Sequence, residues 1–189
     1  DYVARPKAGP PRVVFIGTKH AGNEDALKHF IADIWPLVRA ERPDSEFWVA
    51  GSIGAMLSAQ EASKPGVRVL GRVNDLGELG GSQSIGIAPT RLATGVSIKL
   101  AEYLVLGMPS VAYPLALEGF GAALDDLVRT TNSPEGFAAE LITLLTVESA
   151  RLEMAGRAGD EVRERLSNMP AAQLMSEAAR TLRTKVTPR

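Results

Sequence analysis

Short apolar runs recur along the chain and predict a buried sheet. The five runs are RVVFIG (12–17), EFWVAG (46–51), VRVLGRV (67–73), SIGIAP (84–89) and PSVAY (109–113). Nearly continuous apolar character, without polar residues at alternate positions, is typical of strands buried on both faces. A sixth, weaker strand is predicted within DLVRTT (126–131). We therefore expect a sheet of six strands.

Helical patterns lie between these runs. The first helix is predicted from apolar residues at helical spacing: Leu27, Phe30, Ile31, Ile34 and Val38. Asn23 is predicted as its N-cap, and Pro36 is expected to end or kink it. Further helices are predicted over 53–62, after Gly95 and from Pro134 onward. Strands that alternate with helices predict an α/β fold, a Rossmann-like, mostly parallel sheet flanked by helices, with additional C-terminal helices.

The length and the pattern predict one main domain with short appendages. Residues 1–11 are rich in proline and glycine and are predicted to form a linker or tail. The Rossmann-like domain is expected over residues 12–166, and a C-terminal helix and tail over 167–189. Because the chain begins with Asp1 rather than Met, we expect it to be a piece of a longer protein.

Composition excludes several classes of function. The net charge of -1 gives no reason to expect nucleic acid or an anionic membrane as partner. The absence of cysteine excludes disulfides and thiolate metal sites, and with only His20 and His29 we expect no metal. His29 is expected at the surface of its helix or half-buried. No apolar run reaches the ~20 residues of a membrane-spanning helix, so we expect no transmembrane segment and a cytoplasmic location.

Five of the loops that follow the predicted strands are rich in glycine: GTKHAGN, GSIG, GRVNDLG, APTRLATGVS and YPLALEGFG. Glycine in any one of them could simply permit a tight turn. In open parallel sheets, however, ligands bind beyond the carboxyl ends of the strands. Five such loops at one edge predict a ligand crevice.

Three familiar phosphate-binding mechanisms do not fit the first of these loops. GTKHAG follows a strand as a P-loop does, but Asn23 and Glu24 occupy the places of its Lys and Ser or Thr. A dinucleotide-binding G-x-G-x-x-G is also missing after the first strand. Thr18, Lys19 and His20 stand where a phospho-receiver domain would have acidic residues. These classes are therefore excluded.

The segment 91–114 runs from a polar loop through an apolar helix into a strand, and it carries Lys99 and Glu102 near the start of the helix. The unpaired backbone N–H groups at that helix start would be those of Gly95, Val96 and Ser97. Such groups and the helix dipole bind anions, and Lys99 would add a positive charge. Glu102 suits ribose hydroxyls better than phosphate. The alternative is a surface ion pair between Lys99 and Glu102, worth well under ~1 kcal/mol.

The segment that contains Lys99 and Glu102 resembles part of a known protein family. GVSIKLAEYLVLGMPSVAY (95–113) is similar to the donor-binding segment of GT-B glycosyltransferases of the glycosyltransferase group 1 family. The similarity extends in order over residues 12 to about 148. Members have two Rossmann-like domains, an acceptor domain and a C-terminal domain that binds the nucleotide sugar. The resemblance implies that this chain is the C-terminal, donor-binding domain of a retaining enzyme that transfers a hexose-type sugar, without a metal cofactor. The implied partners are a UDP- or GDP-linked sugar and a missing N-terminal acceptor domain.

The resemblance also implies a set of site residues. The diphosphate would be held by Gly95, Val96 and Ser97 through backbone amides, by the hydroxyl of Thr94 or Ser97, and by Lys99 and Arg91 as catalytic cations. Glu102 would bind the ribose. The remaining contacts would be Arg72 and Val73 at the base, Lys19 and His20 in the first loop, and Glu118 at the sugar.

Several of these assignments have open alternatives. Arg91 and His20 could each be solvated loop residues, and Glu118 could simply terminate its loop. Many members carry a second glutamate eight positions before the ribose-binding one, and here that position is Thr94. A catalytic carboxylate there is therefore excluded. Alternatives for the whole chain are a non-catalytic module that binds a nucleotide sugar or docks to a partner, and an unrelated α/β domain whose loops bind another phosphate ligand.

Overall fold

The fold is seen in a computed structural model, which describes residues 9–92, 97–158 and 160–167. Six strands form one sheet: β1 Arg12–Ile16, β2 Phe47–Ala50, β3 Val67–Gly71, β4 Ser84–Ala88, β5 Ser110–Ala112 and β6 Arg129–Thr130. Their order is β3-β2-β1-β4-β5-β6, and every pair is parallel. The predicted Rossmann-like sheet and its weak sixth strand are thus confirmed.

The helices that surround the sheet are α1 Ala21–His29, α2 Trp35–Glu41, α3 Ala59–Ala62, α4 Ile98–Val105, α5 Pro134–Thr146, α6 Glu148–Arg157 and α7 Asp160–Ser167. A π-helical segment, Phe30–Ile34, joins α1 to α2. The helix continues through Pro36, so Pro36 does not end it. The alternative, that Pro36 kinks the helix, stays a prediction. Pro36 lies just after a place where the regular ladder of hydrogen bonds is already interrupted, so its missing N–H is tolerated there.

Two other local predictions are wrong. α1 begins at Ala21, ahead of Asn23, because the side chain of His20 accepts the N–H of Gly22 and caps the helix. The single helix expected over 53–62 is instead a 3-10 turn, Ser52–Met56, followed by the one-turn helix α3. A capping box between Ser58 and Glu61 starts that second helix.

The sheet is buried on both faces except at its two edge strands, β3 and β6. Alternate side chains of β1 enter two separate cores, Val13 and Phe15 on one face and Val14 and Ile16 on the other. Helices α1, α2 and α5 cover the first face, while α4 and α7 cover the second. β3, predicted as a buried strand, instead lies at one edge of the sheet, and its residues are half-buried or exposed. The two residues of β6, at the other edge, are likewise half-buried and exposed.

Helices α6 and α7 pack on this same domain. Val162 of α7 is fully buried in the second core. Asp126 joins both helices to the region before β6, because Arg157 and Arg165 each donate to its carboxylate. The helix predicted within 167–189 lies outside the described residues, and the division into domains stays a prediction.

Candidate functional site

The site that we consider is the carboxyl edge of the sheet between β1 and β4, where the sequence predicts a ligand crevice. These strands pair only over their first three residues, Arg12–Val14 with Ser84–Gly86. Beyond them, the N–H of Ile16 donates to the hydroxyl of Tyr103 of α4 at 2.9 Å. Strand order reverses at this place, since the chain continues from β1 to β2 on one side and from β4 to β5 on the other. Ligands of open α/β sheets bind at such a switch point.

The loop after β1 forms one wall of the crevice and is fixed by polar contacts. The N–H of Gly17 donates to Ala50 at 3.0 Å, and the N–H of Lys19 donates to Ser52 Oγ at 3.1 Å. The amide of Asn23 donates to the carbonyl of Thr18 at 3.0 Å. The side chain of Lys19 is exposed. This wall is therefore ordered by the protein's own contacts.

His20 has a structural role that its sequence did not reveal. Its Nδ1 accepts the N–H of Gly22 at 3.2 Å and caps α1. Only Nε2 is then left to contact a ligand. The predicted donor-binding role of His20 stays a prediction, limited to that one nitrogen.

Lys99 projects from the first turn of α4 toward α1. Its ammonium donates to Asn23 Oδ1 and lies 4.4 Å from the centre of the Phe15 ring. Burial lowers the pKa of Lys99 to about 8, and the nearby carboxylate of Glu102 opposes the shift. An ammonium has three donors, and among the described residues Asn23 alone accepts a hydrogen bond from this one. A half-buried cation with unused donors is suited to bind an anion.

Glu102 is half-buried one turn further along α4. Burial raises the pKa of its carboxyl, and Lys99 opposes that shift. The two side chains influence each other through space, yet no ion pair within 4.0 Å joins them, and no described residue hydrogen-bonds to the Glu102 carboxylate. The surface ion pair considered from the sequence is therefore not formed.

The start of α4 holds an unpaired polar atom. Ser97 is the N-cap residue, but its side chain makes no capping hydrogen bond. Its Oγ is buried and has no hydrogen-bond partner among the described residues. Unpaired buried hydroxyls are uncommon in folded proteins, and this one lies at the end of the helix where a ligand anion was predicted. Thr94, Gly95 and Val96 lie outside the described residues, so their predicted roles stay predictions.

Arg91 is already paired. Its Nε and Nη2 donate to the two carboxylate oxygens of Asp25 at 3.1 and 2.7 Å. This bidentate pair raises the pKa of Arg91. The predicted catalytic role of Arg91 stays a prediction, for a guanidinium that keeps three of its five donors.

The remaining predicted residues are not joined to the pair Lys99 and Glu102. Arg72 and Glu118 are exposed after β3 and β5, and neither side chain bonds to Lys99 or Glu102. Val73 is half-buried and packs against the second core. All three follow strands at the carboxyl edge, and their roles toward base and sugar stay predictions.

The sequence did not reveal the residues that organise the crevice from a distance. Asn23 and Asp25 contact partners 76 and 66 positions away, and Tyr103 contacts one 87 positions away. His29 is buried, contrary to expectation, with Nδ1 2.6 Å from Asp33 Oδ2 and Nε2 2.9 Å from the Tyr113 hydroxyl. No periodic signal marks such pairs in a single sequence.

Among the described residues, no group of three or more His, Cys, Asp or Glu side chains is placed to hold a metal ion. Within the same part of the chain, no helix is long and apolar enough to cross a membrane.

Glycosyltransferases are among the solved structures that share this fold. WaaG, a glycosyltransferase involved in lipopolysaccharide biosynthesis, is 17% identical with a TM-score of 0.62, and the match covers 91% of this chain and 47% of WaaG. The C-terminal domain of LpcC, a group 1 family protein from Francisella tularensis, is 12% identical with a TM-score of 0.53, covering 85% and 87%. The pneumococcal O-GlcNAc transferase GtfA, in complex with UDP and GlcNAc, is 14% identical with a TM-score of 0.52, covering 87% and 36%.

These matches define the class of the domain. The chain spans less than half the length of WaaG or GtfA but most of the LpcC C-terminal domain. Its fold is that of a Rossmann-like domain of a GT-B glycosyltransferase. The family model for glycosyl transferases group 1 matches residues 10–147, so the chain belongs to that family. No curated protein matches the sequence.

Proposed function

We propose that this chain is the nucleotide-sugar-binding domain of a retaining GT-B glycosyltransferase. The carrying observation is that Lys99 and Glu102 lie half-buried on one helix at the switch point without pairing with each other. Burial lowers the pKa of Lys99 and raises that of Glu102, so burial disfavours the charged form of both side chains. Groups with such perturbed pKa values in a crevice are candidates for ligand binding.

The charges of this pair fit the two halves of a nucleoside diphosphate. Lys99 and the Ser97 hydroxyl would contact the phosphates, together with the backbone N–H groups predicted at Gly95 and Val96. The Glu102 carboxylate would accept hydrogen bonds from ribose hydroxyls. Its negative charge opposes phosphate binding, so its presence favours a nucleotide over a bare phosphate.

The same contacts supply what sugar transfer requires of a donor domain. When the bond between sugar and diphosphate breaks, the electron pair leaves with the nucleoside diphosphate. Lys99 and the start of α4 would stabilise that developing charge, which is an effective form of catalysis in a site shielded from water. This chemistry needs neither a carboxylate at Thr94 nor a metal.

The donor is proposed to be a UDP- or GDP-linked hexose. GtfA, which shares the fold, is described in complex with UDP and GlcNAc, and this supports UDP as the first ligand to try. Transfer would also need an acceptor domain, because the reacting sugar lies between two domains in the GT-B architecture. We therefore expect this chain alone to bind a nucleotide sugar and to transfer none.

The proposal is tested by calorimetric titration with UDP, GDP, ADP and inorganic diphosphate. We expect one nucleotide to bind to the wild-type chain. Lys99→Met should weaken the nucleotide and diphosphate alike, by roughly tenfold, because each loses a contact to a charged donor. Glu102→Gln should weaken the nucleotide by about fivefold and leave diphosphate unchanged or tighter, because the variant loses a ribose acceptor and a repulsive charge.

Matched controls come from the opposite edge of the sheet. Lys64 and Glu41 precede β3 and β2, and no described residue forms a salt bridge with either side chain. Lys64→Met and Glu41→Gln should leave every affinity unchanged. The proposal fails if no nucleotide binds to the folded wild-type chain, or if the control variants lower affinity as much as the site variants.

A further inference from the structure

Helix α1 contacts the β4–α4 region at two points, two residues apart in its own sequence. Asn23 accepts from Lys99, which belongs to α4. Asp25 accepts from Arg91, three residues beyond the end of β4. The two contacts tie one wall of the crevice, the loop after β1 and the start of α1, to the other wall.

The two cations stand in different electrostatic surroundings. Lys99 faces a neutral amide, an aromatic ring and the carboxylate of Glu102. Arg91 contacts Asp25 directly, and Asp33 also acts on its charge. The guanidinium of Arg91 is therefore already paired with one carboxylate, that of Asp25. A phosphate would gain little from this guanidinium, because binding it would mean competing with Asp25.

The Arg91–Asp25 pair has the geometry of a structural connection. Two nitrogen atoms of the guanidinium lie within hydrogen-bond distance of the carboxylate. The side chain of Arg91 is 46% exposed and that of Asp25 is 27% exposed. Bidentate arginine–carboxylate pairs fix orientation as well as distance. Here they fix the segment that leaves β4 against the first turn of α1.

We propose that Asp25 and Arg91 form a latch that sets the width of the crevice, and that both are positioning residues for the ligand held by Lys99 and Glu102. Arg91 then acts through Asp25 and does not contact the phosphates, unlike the direct role predicted from the sequence. The effect on the ligand rests on the proposed function. The latch itself rests only on the observed contact.

The variant Asp25→Asn distinguishes a phosphate-binding Arg91 from a latch, because the two roles predict opposite changes in UDP affinity. If Arg91 contacts phosphate, the substitution frees the guanidinium and removes a negative charge near an anion, so UDP binds equally or more tightly. If the pair is a latch, the crevice loosens and UDP binds about fivefold more weakly. Arg91→Gln should then weaken UDP by a similar factor, and the double variant Asp25→Asn/Arg91→Gln should be no worse than either single one.

Glu24→Gln is the matched control. Glu24 precedes Asp25 in the first turn of α1 and pairs locally with Lys28. Its substitution removes the same charge from the same helix end without touching Arg91, and UDP affinity should stay equal or rise. Tighter binding by Asp25→Asn, or additive losses in the double variant, would overturn the latch.

Amide hydrogen exchange tests without any ligand whether the Asp25–Arg91 pair acts as a latch. In peptides that cover residues 86–98, exchange should become faster in Asp25→Asn and in Arg91→Gln to the same extent, but not in Glu24→Gln. Unchanged exchange in both single variants would overturn the latch even where UDP binds. If the wild-type chain binds no nucleotide, the proposed function fails while the exchange result still stands.

Discussion

At the scale of single residues, Lys99 shows how much a buried charge destabilises the fold. Its pKa falls from 10.5 to about 8 on burial. A shift of this size means that the charged form destabilises the folded state at neutral pH by roughly 3 kcal/mol relative to an exposed lysine. Asn23 and the Phe15 ring offset part of that cost. An apolar residue would suit the fold better at this position, which is why we regard the lysine as functional.

Lys99→Met should therefore stabilise the chain at pH 7, by about 1 kcal/mol after the lost contacts to Asn23 and Phe15 are counted. The advantage should shrink as the pH rises from 8 to 10.5. In that interval the unfolded lysine holds a proton that the folded one has released, so the wild-type protein gains stability with pH. Urea unfolding at pH 7 and pH 9.5 measures both effects.

Lys64→Met serves as the control for this comparison and should change stability little and equally at both pH values. A Lys99→Met protein that is less stable than wild type at pH 7 would show that the contacts of the ammonium outweigh its burial. The lysine would then be a structural residue.

At the scale of elements, Tyr103 keeps the sheet open where the site lies. Its ring lies beside Gly86 of β4, where an added Cβ would come within 2.5 Å of the ring. Its hydroxyl accepts the N–H of Ile16, which the pairing of β1 with β4 no longer reaches. Burial raises the pKa of Tyr103, so the hydroxyl stays protonated. Because Tyr103 follows Glu102 directly, this contact also fixes α4 and both of its charged residues against β1.

Tyr103→Phe should cost about 1–3 kcal/mol of unfolding free energy, because the buried N–H of Ile16 loses its acceptor. Chemical denaturation measures the loss, and amide exchange locates it. Protection should fall at Ile16 far more than at Val14, which lies within the paired part of β1. Equal loss of protection at both amides would mean that the ring of Tyr103, and not its hydroxyl, keeps β1 and β4 apart beyond their paired residues.

Elements that are governed by local pattern could be predicted from the sequence. The strands and α5 follow from short-range apolar runs, and the sheet order is that of the Rossmann-like fold. The start of α1 could not be predicted, because His20 is an unusual cap and Asn23 looked like a common one. The contacts of Asn23, Asp25 and Tyr103 depend on how distant segments meet, and no local preference encodes them. The sequence therefore predicted that the site lies on α4, but it did not predict the contacts that connect the site to α1.

At the scale of the whole molecule, the two halves of the sheet carry different parts of the proposed site. The half formed by β3, β2 and β1 carries the loop that closes one wall of the crevice. The half formed by β4, β5 and β6 carries α4 with its lysine and glutamate. α6 and α7 pack on this domain, with α7 covering α4 on the second core, so α4 has support on both sides. The chain is thus a folded domain, and its proposed ligand would lie between the two halves of its sheet.

The most direct test of that claim is an NMR titration of the isotope-labelled chain with UDP, and with GDP and ADP in turn. We predict that backbone amide shifts change at residues 17–20 and 97–102, on the two walls of the crevice. Amides at the opposite edge, such as those of Arg68 and Ser84, should not change. Saturable shifts confined to that opposite edge, or none for any nucleoside diphosphate, would contradict a donor site between β1 and β4.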